Sequence, residues 1–498
     1  MQNRFEGYKT TLREILPIGR SFDVVERKIK IGGKEASMFF VEGLTNADKM
    51  QRLMSFLLNI GLNIGGMAGG KITGNTAVNG AGCGAGFLQS GSTEDFIQRN
   101  MPYLSCDTQT DINLAVKSVF TGLVALIIDG FDKIIIIDER EYPMRAVSEP
   151  EKEKTLRGAK DGFTEGLMTN IALIRRRIRD RRLIFASHTA GDVTKTDMAL
   201  VYMEGVADAA LVKSMTDKIQ ALKINTITVG EQTLVEMLSE LDGNKKRKMN
   251  KLNPFPKVRY TQRPDIVSAH LTEGKIAILV DNSPTVILLP TGIFDFMQDV
   301  DDYYFPAITG NYFRLLRVMN FFIILFITPV YILIVEKYIP VFQFMEFIVP
   351  DEGYAIPLFW QFIILEIAID ALKLASLNTP NSLGLSLSVV GALILGEFAV
   401  QAGWFIPQTI LCMAVVALAS FTQPSMELQY GVKFMRLIML IGAGAFGIYG
   451  ACAGLAAGLL VMGTTKTLIG TSYLYPLIPF NKTAIKRLLF RTGAGAEK

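Results

Sequence analysis

Near residue 310 the chain changes polarity, and that break limits what it can fold into more than any other feature. Upstream, charged and apolar residues alternate as in a water-facing αβ protein; downstream, almost everything falls in apolar blocks of membrane length. The block LRVMNFFIILFITPVYILIVE, 316–336, is charged only at Arg317 and at its terminal Glu336. At about 1.5 Å per residue it can cross a hydrocarbon core of about 30 Å. The composition, 50% hydrophobic over 498 residues, is too apolar for an ordinary soluble domain if evenly spread, and it is not evenly spread. A net charge of +4 implies no long-range steering of nucleic acid. The four cysteines form no CxxC pair and only two histidines are present, so neither a metal centre nor a cofactor is expected.

The first residues, MQNRFEGYKTTLREILPIGRSF, lack the continuous apolar core of a secretory signal, which places the polar region on the cytoplasmic side. Arg314 and Arg317 before the first span, against Glu346, Asp351 and Glu352 beyond it, give the same orientation. So do Lys482, Lys486, Arg487 and Arg491 in the tail. With both ends inside, crossings must be even in number, yet the later blocks 356–375, 383–402, 405–421 and 434–463 bring the total to five. Four spans with one re-entrant element is the expectation. Six follows if the last, glycine-rich block is a broken pair. The domains expected are an αβ subdomain over 1–243 with a glycine-rich insertion at 61–91, a second αβ subdomain over 244–310 opening with a basic linker at 244–251, a helical transmembrane domain over 311–480, and a basic cytoplasmic tail over 481–498.

Within the polar region, alternation predicts strands at 36–41, 123–129, 133–138, 183–187 and 199–203. Helices are predicted at 163–179, 208–222, 232–241 and 265–271, with a hairpin of 275–281 and 285–289 around Asn282-Ser283-Pro284. The insertion contains Gly65, Gly70 and Lys71 at phosphate-loop spacing, but Ile72 stands where a Ser or Thr must reach magnesium. The preceding 48–60 is helical in period, so the stretch reads as a linker. Arg175, Arg176, Arg177 and Arg179 spread around their helix and suit subunit or interdomain salt bridges. Lys245, Lys246, Arg247 and Lys248 lack interleaved aromatics and suit an anionic membrane surface better than nucleic acid.

Ionisable residues inside the apolar blocks are the functional candidates. Glu366, Asp370 and Lys373, at spacings of four and three, share one helix face and must face protein or water rather than lipid. They form either an ion pathway or an internal ion pair, Asp370 or Glu366 neutralising Lys373. Glu397, beside Gln401 and with no base nearby in sequence, could form a cation-attracting carboxylate belt in a symmetric ring. Gly384, Ser388, Ala392 and Gly396 make one small-residue seam, and Gly450, Gly454 and Gly458 another; both read as helix-packing faces through which copies of the chain could associate.

Several long runs carry a resemblance. EPEKEKTLRGAKDGFTEGLMTNIALIRRRIRDRRL at 149–183, NPFPKVRYTQRPDIVSAHLTEGKIAILVDNSPTVILLPT at 253–291 and VVGALILGEFAVQAGWFIPQTI at 389–410 resemble the A subunits of GerA-type spore germinant receptors. IDALKLASLNTP at 369–380, PSMEL at 424–428 and YPLIPFN at 475–481 resemble one sporulation branch of that family. The glycine-rich insertion departs from its pattern. The resemblance implies a protein of the spore inner membrane that acts in germination with other germination membrane proteins, as an oligomeric channel releasing monovalent cations. The alternative is a non-conducting receptor or scaffold subunit, favoured if the carboxylates are fully ion-paired. A transporter lacks its inverted repeat. No nucleophile–base pair or intact phosphate loop suggests an enzyme.

Overall fold

The stretch GLVALIID at 122–129 returns 152 residues later as GKIAILVD at 274–281, and the backbone around each is built alike. The computed structural model describes residues 2–60, 92–101, 105–143, 158–222, 230–240, 253–299, 301–340, 346, 348–350, 354–378 and 399–489. In it the polar region is one unit, Met1–Gly243 with Tyr260–Pro290, holding two five-stranded sheets. The first half runs α1 (Gln2–Ile15), β1 (Val24–Ile31), β2 (Lys34–Val41), α2 (Ala47–Asn59), α3 (Thr93–Asn100), β3 (Cys106–Gln109), α4 (Ile112–Phe120), β4 (Val124–Ile128) and β5 (Ile134–Ile137). The second half repeats that order as α5 (Leu167–Arg177), β6 (Leu183–Ala190), β7 (Thr196–Met203), α6 (Ala209–Gln220), α7 (Gly230–Glu240), β8 (Arg259–Thr261), α8 (Pro264–Thr272), β9 (Ile276–Val280) and β10 (Val286–Leu289). The sheet orders, β1-β2-β4-β5-β3 and β6-β7-β9-β10-β8, are the same permutation.

Two glycines show why the motif recurs. Gly122 and Gly274 sit at φ +89° and +92°, and a Cβ at either would lie 2.9 Å from a backbone carbonyl, of Leu44 or of Val206. Those carbonyls occupy the same position, three residues after β2 and after β7. A side chain there meets both a left-handed backbone and a clash, so only glycine fits.

The continuous apolar runs VALII and IIII follow from burial on both faces of the first sheet. Phe39, Val41, Ala125, Ile127, Ile134 and Ile136 pack with residues of α1 and α4. Met38, Val124, Leu126, Ile128, Ile135 and Ile137 pack on the other side with residues of α2 and α3. Strand side chains alternate faces, so burying both makes every position apolar.

The expected strands and hairpin are present, and β1 and β3 join them as edge strands too polar to stand out by period. Two expectations need correction. The helix expected from Phe163 begins at Leu167, because Asn170 accepts from Thr164 N at 2.8 Å and donates to the Thr164 carbonyl, folding 164–166 into a turn. Asp281 Oδ1 then receives Leu167 N at 3.2 Å. A separate αβ subdomain over 244–310 is not what forms: β9 pairs with β7, in register Leu200 with Ile278, so Tyr260–Pro290 completes a sheet begun before residue 243. Hydrophobic period shows that a strand exists but not which strand it pairs with.

The second unit, Asn244–Arg259 with Thr291–Lys498, is helical. It contains α9 (Asp301–Tyr304), α10 (Ala307–Val335), α11 (Leu358–Asn378), the one-turn α12 (Ala399–Gln401), α13 (Pro407–Phe421), α14 (Met426–Thr464) and α15 (Lys482–Leu489). By length and composition α10 and α14 are apolar enough to cross a membrane. α14 is not straight, for Gly447 leaves helical geometry at φ 58° and ψ −137°. Gly442 and Gly450, about 12 Å apart on a straight helix, are in backbone contact. A Cβ at Gly454 would lie 2.9 Å from Met439 Cα, and one at Gly458 2.6 Å from Met435 Cγ. Two antiparallel arms therefore meet along the seam Gly450, Gly454 and Gly458, which packs the chain against itself. The last apolar block is thus a broken pair, the condition attached to six crossings rather than four. Gly384, Ser388, Ala392 and Gly396 lie outside the described residues, as do Lys245, Lys246, Arg247 and Lys248 and the insertion 61–91.

Candidate functional site

Charges inside apolar helices persist only where other polar groups compensate them. α11 places Glu366 and Asp370 one turn apart on one face, and the first arm of α14 places Lys433 and Arg436, three apart, opposite them. Arg436, 3% exposed, donates through Nη2 to both oxygens of Glu366 at 2.6 and 2.8 Å and through Nη1 to the Ile324 carbonyl of α10 at 3.2 Å. Lys433 Nζ lies 3.0 Å from Glu366 Oε1 and also pairs with Asp370, so one ammonium bridges the two carboxylates. The Lys373 ammonium sits over the Phe421 ring, 5.5 Å from its centroid.

These five groups line a cleft of about 20 Å³, room for about one water, with Ser420, Gln429 and Tyr430 on its wall. Two acids face three bases there, a formal excess of one positive charge. Glu366, Asp370 and Lys373, singled out in the sequence, lie together on this cleft, and among the described residues the ion pairs of the two acids run to Lys433 and Arg436 of α14. Lys433 and Arg436 were missed, although two bases three apart at the head of an apolar block complement two acids four apart on another.

Two further polar anchors hold the same unit. Gln361, fully buried at the other end of α11, accepts from Ile406 N at 3.1 Å and Thr409 Oγ1 at 2.9 Å, fixing the start of α13. Arg317 donates to the fully buried Asp302 at 2.7 Å, with Arg314 Nε 3.5 Å from the same carboxylate. The two arginines that mark the start of the first span are therefore buried, held by α9. Gln401 is exposed on α12, and Glu397 lies outside the described residues.

In the first unit the arginine run divides by depth. Arg175 is fully buried, pairs with the equally buried Asp23 at 2.8 Å and lies between the rings of Phe120 and Phe185, 5.2 and 4.9 Å from their centroids. Ser21 completes the junction by receiving Phe185 N at 3.0 Å. Asp23 and Phe120 belong to the first repeat, Arg175 and Phe185 to the second, so this guanidinium joins the copies. Arg177 reaches Asp161 at 2.8 Å, and Arg176 and Arg179 stack on Tyr142. Glu139 is also buried, and neither carboxylate oxygen has a hydrogen-bond partner. Burial holds its carboxyl above the usual range, with Lys49 opposing.

Comparison with known proteins gives this architecture its relatives. The family model described as Bacillus/Clostridium GerA spore germination protein matches residues 10–497. Stage V sporulation protein AF of Bacillus subtilis (strain 168) is 32% identical over 481 residues, covering 97% of this chain and 91% of that protein. Spore germination protein KA of the same organism is 28% identical, covering 95% and 82%. The crystal structure of the N-terminal domain of the A subunit of the Bacillus megaterium spore germinant receptor GerK3 matches at 26% identity and a TM-score of 0.38, over 57% of this chain and 92% of that one.

Proposed function

The chain belongs to the GerA family of spore germination proteins, and from that premise we propose that it is a subunit of an oligomeric germination channel for monovalent cations, closed in this conformation by Lys433. Support comes from one observation, an ammonium on a flexible stem bridging Glu366 and Asp370. A permeant monovalent cation would take that place between the two carboxylates, and the tethered one holds it instead. With Lys433 in place the cleft carries one excess positive charge and repels cations. Withdrawing it brings the formal charge to zero while Arg436 keeps Glu366 fixed. In this reading the chain sits in the spore inner membrane with its polar region and tail in the cytoplasm, and it works with copies of itself and with other germination membrane proteins. Glu397 and Gln401 remain proposed positions along the same path.

A specific observation also favours the non-conducting scaffold. Both carboxylates are engaged and the cleft holds about one water, as a structural cross-link between α11 and α14 would require. Cation flux through the full-length protein, reconstituted in vesicles with and without its partner membrane proteins, separates the readings. Lys433→Gln should raise basal potassium and sodium flux several-fold per reconstituted protein. Lys433→Gln vesicles as tight as empty ones, beside wild-type vesicles that never conduct, would leave the scaffold.

A further inference from the structure

After α14 the chain does something unusual for a segment facing water. Tyr475, Leu477, Ile478 and Phe480 are 47%, 46%, 59% and 73% exposed, four large apolar side chains within six residues. They belong to a built loop. Leu477 N and Ile478 N both donate to the Leu474 carbonyl, at 2.7 and 3.2 Å, and Asn481 N donates to that of Pro476 at 2.9 Å. Asn481 also donates through its side chain to Tyr475 Oη at 3.2 Å and caps α15 by receiving Ala484 N at 3.1 Å. At the loop's other end Tyr473 is fully buried and its carbonyl receives Ile293 N at 3.0 Å. Backbone and cap thus hold the apolar side chains outward.

α15, which follows at once, is strongly amphipathic: Ile485 and Leu488 lie on one face, and Lys482 and Lys486 are exposed on the other. Its position is fixed from within the same unit, because Arg314 of α10 donates to the Leu488 carbonyl at 3.3 Å. Arg314 stands just before the apolar stretch of α10 begins, so α15 lies at the level where α10 enters the membrane.

We infer that residues 475–486 are an interfacial anchor specific for anionic lipid, with the loop's apolar side chains in the headgroup–acyl boundary and Lys482 and Lys486 against the headgroups. The occupant is the bilayer rather than a second protein for two reasons. The patch is continuous in height with the membrane entry of α10, and exposed bases flank exposed apolar groups as a negatively charged interface requires. Its occupancy does not depend on whether the chain conducts.

The test uses the full chain reconstituted in phosphatidylcholine vesicles with 0 to about 40% phosphatidylglycerol, bearing Phe480→Trp with Trp360 and Trp404 changed to Phe. The new indole should be shielded from aqueous iodide and quenched by phosphatidylglycerol brominated near the glycerol. Half-maximal quenching should need about fivefold more of that lipid when Lys482→Gln is added, and more again with Lys486→Gln. Adding the two lysine changes to a chain with native Phe480 should leave oligomer size and thermal unfolding as in wild type while lowering the phosphatidylglycerol that co-purifies. Iodide quenching as strong in vesicles as for free tryptophan would overturn the anchor. So would shielding that appears only at high protein density, which would make the patch a contact between copies, or bromolipid quenching indifferent to headgroup charge and to both lysines.

Discussion

Removing Arg436 should destabilise the helical unit strongly, and the structure gives the size. Arg436 makes two charged hydrogen bonds to Glu366 and one to the Ile324 carbonyl. Arg436→Met keeps most of the volume but leaves Glu366, 8% exposed, with only the Lys433 ammonium it shares with Asp370. Breaking a buried pair from one side costs about 3–5 kcal/mol, much of it the desolvation of the charge left behind. At about 1.4 kcal/mol per decade, the folded fraction relative to the unfolded falls by roughly two to three and a half orders of magnitude. A protein with about 5–15 kcal/mol to lose would show that as reduced membrane abundance and earlier thermal unfolding in detergent. Glu366→Leu with Arg436→Met removes both charges and should recover most of the loss, a coupling of about 2 kcal/mol or more in the double-mutant cycle. If Arg436→Met accumulates and unfolds like wild type, or the double change is as poor as the sum of the singles, the pair does not hold α11 to α14.

Gly454→Leu should place a branched side chain against the Met439 backbone and open the α14 hairpin, lowering thermal stability and abundance of the single chain. Loss of oligomer with no change in chain stability would return the seam to the surface between copies. Arg175→Met should strand Asp23 between the two repeats and cost about 3–5 kcal/mol, whereas adding Asp23→Leu should restore most of it, read by proteolysis of the polar unit in the full chain. Glu139 gives a pH signature. Its folded carboxyl binds a proton more tightly than the unfolded one, so its contribution is complete below the unfolded value and is lost as pH rises through the folded value. Glu139→Gln should therefore raise the unfolding temperature at pH 7.5 and leave it nearly unchanged at pH 4; an equal shift at both would mean that ionisation is not the cause.

What could be read in advance followed from how local each signal is. Strands such as 124–128 and 134–137, buried on both faces, announce themselves as unbroken apolar runs, while β1, with Glu26, Arg27, Lys28 and Lys30, sits at a sheet edge and hides its period. The charged cluster was half legible. A carboxylate in an apolar block is visible, but its partner is chosen by helix packing some sixty or seventy residues away, where Lys433 and Arg436 look like the boundary of a span. For the same reason Arg314 and Arg317 stand out in the sequence as flanking charges but not as partners of Asp302, which α9 brings to them. The hairpin of α14 was open as an alternative, since glycine permits a reversal without requiring one.

Two copies of one topology in the polar unit give the molecule an internal reference. Arg175 and Asp23 pair across the join between the copies, while each also has a partner in its own half, Ser21 for Asp23 and the Leu183 carbonyl for Arg175. Between α2 and α3 the first copy carries the long glycine-rich stretch 61–91, where the second joins α6 to α7 by a shorter link. From β3 to β5 each position has a counterpart 152 residues on, so what one half does with a site can be read directly against the other.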